Sequence, residues 1–264
     1  MTTVIVHTGT PASGLLHPWW IEDAKQRGCD LVGFERAGYG DTPRAEGRDV
    51  AWVAEAVARF ADERGIDEFA TWGISGGAPH ALACAALLPD RVVAAAALGG
   101  PTPYGAEGLD WLDGMGEGNV VEFNAALDGE DVLRPLLEQE AAAMLGGHDS
   151  GFETLLSAPD QAILPQLQEF LGQSFAESIG GGVDGWLDDD IAFVRDWGFD
   201  LAAIRVPVLL LHGVQDAFVP VEHGRWLARR IPGVDARILE DDGHLSLYAR
   251  IPEVHEWLLA RAEV

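Results

Sequence analysis

The strongest constraint on this chain is a rhythm. In its first third, short apolar, β-branched runs alternate with stretches of helical spacing. Residues 3–7, 31–35, 69–74 and 92–98 read as strands, the last in spite of four consecutive alanines. Residues 13–27, 50–64 and 76–88 lie between them with helix-period apolar positions. Such alternation predicts an α/β fold, a mainly parallel sheet with helices on both faces. The rhythm stops at Thr102. Strand-like sequence returns at 206–212 and 236–240, and a last helix is expected at 251–262, with Pro252 in its first turn. The intervening residues are Gly- and acid-rich, with helical segments at 120–127, 131–145, 162–178 and 189–196. The expected organisation is therefore an α/β core, 1–101 with 201–264, interrupted by a helical insertion over 102–200.

Composition narrows the function. At 264 residues, 48% hydrophobic and 23% charged, the chain has the make-up of one or two globular domains and not of a disordered segment. No apolar run approaches the roughly 20 residues of a membrane helix. The formal charge of −26 would repel nucleic acid and anionic membrane surfaces, and beyond that the excess carboxylates read simply as an aid to solubility. Cys29 and Cys84 make no disulfide framework, and the first ten residues hold neither a basic stretch nor a cleavable apolar core. A reducing, cytoplasmic setting is expected.

Chemistry concentrates at Trp72-Gly73-Ile74-Ser75-Gly76-Gly77, a G-x-S-x-G sequence between the third strand and the helix behind it. Such a strand-to-helix turn is so sharp that its flanks must be nearly free of side chains. It lifts the central serine to the carboxyl end of the sheet, with a positive helix N-terminus behind it. A serine at its ordinary pKa needs a base, and the base needs an orienting acid. His244, in the loop Asp242-Gly243-His244 after the last strand, is the best base. Asp216, in the turn after the preceding strand, is the best acid. His7, His80, His212 and His255 lack such a loop context and read as structural. Asp190 or Asp196 could replace Asp216 only if the insertion folded over the site. Asp188-Asp189-Asp190 lacks the second ligand cluster a metal would need and reads as a solvated loop. Cys84 reads as a small core residue.

Residues 73–77, 212–220 and 243–244 resemble the three catalytic signatures of the α/β-hydrolase superfamily. Residues 34–42 are similar to its D-R-x-G-x-G-x-S segment, with Glu35 and Thr42 in place of the acid and the serine. The resemblance implies a serine hydrolase needing no cofactor and no metal, with 102–200 as its helical cap. It implies an oxyanion hole built from the Gly76 N–H and from the loop His7-Thr8-Gly9-Thr10-Pro11, similar to the family's H-G-x-P loop. Thr10 is the expected donor there because Pro11 has no N–H. Relative to the family, two strands before the first are lacking. The 31–35 strand is then expected at an open edge, where a second subunit of a homodimer would cover it. The expected activity is cleavage of a small or medium carboxylic ester through an acyl-enzyme, with cap aromatics such as Phe123, Phe152 and Trp186 lining a mostly apolar pocket. In related aminopeptidases cap acids bind a substrate amine, so Glu138 and Glu140 keep a proline-iminopeptidase-like activity open. A lactone or carbon–carbon hydrolase uses the same triad. A ligand-binding protein on this fold is the alternative of another class.

Overall fold

Parallel strands dictate the architecture. In the computed structural model, which describes residues 2–146 and 152–262, six strands form one sheet: β1 (Thr2–His7), β2 (Cys29–Gly33), β3 (Phe69–Ile74), β4 (Val92–Leu98), β5 (Val208–Gly213) and β6 (Asp235–Leu239). Their order is β2-β1-β3-β4-β5-β6, and every pairing is parallel. The sheet is the α/β arrangement that the sequence rhythm predicts, and β2 lies at its edge.

Alternation along the strands sorts the core into two faces. Val4, Val6, Trp72, Ile74 and Leu98 pack with α1 (Pro18–Gln26) and α9 (Ile251–Ala262). Ile5, Phe69, Ala95 and Ala97 pack with α2 (Trp52–Asp62), α3 (Gly77–Leu87) and α8 (Val221–Arg230). The alanines of β4 let α3 and α9 lie close on its opposite faces.

Between β4 and β5 come α4 (Glu117–Asp128), α5 (Glu130–Leu145), α6 (Ala158–Ile179) and α7 (Asp184–Phe193). These helices are keyed into the core. Leu167, Phe170 and Leu171 of α6 join the first apolar cluster. Ala192 and Phe193 of α7 join the second. Leu133, Leu137, Trp186 and Ile191 form a third cluster, which also takes in Tyr39 from the loop after β2.

Two local expectations differ from the structure, and one element has no counterpart among those expected: residues 221–230 form α8. Only His223, Gly224, Trp226 and Leu227 of that helix are buried, so its apolar stripe is too thin to stand out in sequence. Helix α1 starts at Pro18 and not at 13, because Pro fits the first turn and His17 caps it by accepting from the Trp19 N–H. Asp188, Asp189 and Asp190 are not a solvated loop. They lie inside α7 and are 2%, 0% and 1% exposed.

Candidate active site

Strand register brings two pairs of loops together at the carboxyl edge of the sheet. His7 pairs with Gly73, so the 8–11 loop emerges beside the turn that carries Ser75. Gly213 pairs with Leu239, so the Asp216 and His244 loops emerge side by side.

Ser75 has φ +55°, the one positive φ of a non-glycine residue among those described. Its neighbours explain how the chain tolerates that strain. A Cβ on Gly73 would lie 2.1 Å from the Gly77 carbonyl oxygen, and one on Gly77 would lie 2.0 Å from that of His7. No side chain fits at either place. The Ser75 N–H donates to Leu98 O at 2.8 Å, and α3 starts two residues later.

Asp216 and His244 meet directly. His244 Nδ1 donates to Asp216 Oδ2 at 2.6 Å. The other carboxylate oxygen accepts from the N–H groups of Phe218 and Val219 at 2.9 and 2.8 Å. The acid is thus held on both sides, and the proton on Nδ1 leaves Nε2 of the neutral ring as the base. Phe218 stacks on the imidazole, with ring centroids 4.8 Å apart. Burial works against the imidazolium, but the charge and hydrogen bond of Asp216, aided by Asp160, outweigh it, so the His244 pKa is raised. Ser75 and His244 face one cavity without a hydrogen bond between them. Such contacts often tighten only when substrate binds.

Helices of the insertion hold the His244 loop and the 8–11 loop. Asp160 in the first turn of α6 closes a capping box with Ser157. It also accepts from the N–H groups of His244 and Ser246 at 3.1 and 2.9 Å. Asp189 in α7 holds the 8–11 loop. Its Oδ2 accepts from Thr10 Oγ1 at 2.7 Å, from Tyr39 OH at 2.8 Å and from Arg36 Nη2 at 2.7 Å. Its Oδ1 accepts from Arg48 Nη2 at 2.7 Å. Arg36 also donates to the carbonyls of Thr8 and Gly9, at 2.7 Å each. Thr10 therefore sits in a clamp and packs against Gly76, where an added Cβ would lie 2.3 Å from Thr10 Oγ1.

Asp160, Asp189, Arg48 and Tyr39 were not legible as site residues. Ser157-x-x-Asp160 is a readable helix-start signal, but nothing local says that it grips a loop more than 80 residues away. The remaining candidates have other partners. His80 Nε2 lies 3.3 Å from Asp189, and burial pushes its pKa down to about 4. His212 donates to Val219 O at 2.8 Å, and His255 donates to Asp23 at 2.8 Å. His7 and Cys84 are buried, and burial pushes the Cys84 thiol up. Asp188 pairs with Arg44, and Asp196 caps the Gly198 N–H. Among the described residues no group of three or more His, Cys, Asp or Glu side chains is arranged to hold a metal.

A cavity of about 370 Å³ opens beside Ser75 under the insertion, walled by Phe123, Phe175, Trp186 and Phe193. One end is acidic. Glu122, Glu140 and Asp190 line it, while Glu138 is exposed to solvent. Burial, with the charge of Glu122, pushes the Glu140 carboxyl up to about 7.

Comparison with known proteins agrees with this fold. A family model described as alpha/beta hydrolase fold matches residues 2–250. An uncharacterized hydrolase of Bacillus subtilis, YcgS, is 23% identical over 231 residues, covering 83% of this chain and 77% of that one. An esterase from Exiguobacterium antarcticum superimposes with a TM-score of 0.71 at 20% identity, over 100% of this chain and 92% of the other. The enol-lactonase of Burkholderia xenovorans gives a TM-score of 0.69 at 17% identity, with the same coverages.

Proposed function

The chain belongs to the alpha/beta hydrolase fold family, and from that premise we propose that it is a serine hydrolase of small or medium carboxylic esters. One observation carries the reading: a strained Ser75 faces the same cavity as a buried His244 that is hydrogen-bonded to Asp216. In this scheme His244 Nε2 takes the Ser75 proton as Oγ attacks the ester carbonyl. The N–H groups of Gly76 and Thr10 receive the oxyanion. Collapse breaks the bond to the alcohol oxygen, which takes the proton back from His244, and the acyl group stays on Ser75. Water enters, gives its proton to His244 and releases the acid by the same steps. Asp216 holds the ring and stabilises the imidazolium throughout.

The Ser75→Ala variant is expected to fold as the wild type does and to lose ester turnover. Intact-mass measurement after fluorophosphonate treatment should show one adduct on the wild type and none on the variant. Full ester activity in Ser75→Ala would refute the assignment.

The acidic end of the cavity supports a second reading, an amidase or aminopeptidase acting on amine-bearing substrates. Three carboxylates there would favour a substrate ammonium group. The two readings part on Glu140→Gln. An amine substrate would lose affinity in that variant, whereas a neutral ester would not.

A further inference from the structure

The space around Ser75 is divided. Beside the 370 Å³ cavity lies a second one of about 70 Å³, and Thr10, Pro11, Ser75, Phe152, Phe175 and Phe218 border both. The remaining walls differ. His244 lines only the small cavity, together with Phe170, Leu171, Leu245 and Tyr248. Gly76, Phe193 and the acidic end line only the large one.

Reaction chemistry assigns the two spaces. The group that leaves must be protonated by His244, so its oxygen has to lie on the His244 side. The group that stays on Ser75 must then point away from His244, into the large cavity. Microscopic reversibility adds that the attacking water takes the place the alcohol leaves. From these placements, which rest on the ester-hydrolase reading above, we infer that this enzyme is built for esters of a bulky acid with a small alcohol. At about 70 Å³ the small cavity suits a short alcohol far better than a long one.

The small cavity is not a soft limit. Phe170 meets Trp20 edge-on at 5.1 Å, and Tyr248 stacks on Trp20 at 5.1 Å. Trp20 is 1% exposed in the core cluster under the sheet. Widening this space means repacking that core, which close-packed interiors resist. The large cavity is bounded by α4, α5 and α7 and has over five times the volume.

Two ester ladders, followed by acid release at constant pH, test the assignment. In one, the acid is hexanoate and the alcohol runs through methyl, ethyl, butyl and benzyl. In the other, the alcohol is methyl and the acid runs through acetate, hexanoate and 6-phenylhexanoate. The expected kcat/KM falls at least tenfold from methyl to butyl in the first ladder and rises at least tenfold from acetate to hexanoate in the second. Leu171→Ala, which enlarges the small cavity, should recover the butyl ester at least fivefold relative to the methyl ester. A flat or inverted alcohol ladder overturns the assignment whatever the variant does. Fluorophosphonate labelling separates the two levels. No adduct at Ser75 sinks the hydrolase reading and this inference with it, whereas an adduct with a flat ladder, or with no ester turned over, sinks this inference alone.

Discussion

Asp189 and Asp190 are consecutive on α7 and equally buried, yet they live in opposite electrostatic surroundings. Asp189 faces the core side. Burial favours its neutral form, but Arg36 and Arg48 outweigh burial and hold its carboxyl well below the usual range. Asp190 faces the cavity. Burial and the negative charge of Glu122 act together and push its carboxyl well above that range. The carboxyls of Asp190 and Glu122 also share a hydrogen bond, which favours the protonated form of Asp190. A helix turns about 100° per residue, and that single step separates a carboxylate the fold neutralises from a carboxyl it leaves facing other acids. One face of α7 therefore supports the 8–11 loop, while the other shapes the polar end of the cavity.

The comparison breaks most visibly at Asp189. Asp189→Ala leaves two buried guanidinium groups without their shared anion, and the expected loss of stability is about 3–5 kcal/mol in urea denaturation. On the fraction that stays folded, kcat should fall about tenfold or more with little change in KM, since the support of Thr10 acts on the transition state. An Asp189→Ala protein as stable and active as the wild type would dissolve the distinction between the two faces.

Asp190→Asn should act with the opposite sign. A carboxyl whose folded pKa is raised contributes most below its ordinary pKa, and that contribution is lost as pH rises through the raised value. Replacing that carboxyl by an amide, which needs no proton, should therefore stabilise the protein, with Tm higher by about 2–4 °C at pH 8 for each kcal/mol relieved. The gain should shrink toward pH 5. For Asp189, with a depressed pKa, stability is present at neutral pH and is lost as pH falls toward the folded value. Thermal scans across pH would expose both trends, and a destabilised Asp190→Asn at pH 8 would count against this account.

The smallest effect is expected at Asp160, the carboxylate that holds the His244 loop. In the proposed mechanism neutral His244 is the base, so kcat/KM should climb with pH through a value above the ordinary 6.5 of histidine. Asp160→Asn removes a nearby negative charge, and the acid limb of the profile should move toward lower pH. An unmoved limb would mean that Asp160 acts on His244 by position alone.

Local sequence was enough for the strand-to-helix turn at Ser75 and for the sheet. Steric exclusion leaves only glycine at 73 and 77, and such restrictions are visible wherever the chain is read. Alternating strand and helix periods gave away the parallel sheet for the same reason, because each is imposed by neighbours along the chain. Helix α8 escaped because its buried face is narrow. The roles of Asp160, Asp189 and Asp190 escaped for a deeper reason.

All three are acids in an acid-rich insertion, and in sequence they look like the many solvated carboxylates of a chain with charge −26. What each one does depends on its partner: Asp160 on loop amides at 244 and 246, Asp189 on arginines at 36 and 48, Asp190 on Glu122. The sequence by itself determined the fold class and where a nucleophile could be presented, since those rest on backbone sterics and periodicity. Only the tertiary structure decided which carboxylates are ionised, which loops they hold and how the space around Ser75 is divided. Charge and shape at a site are summed over groups that meet only when the chain has folded.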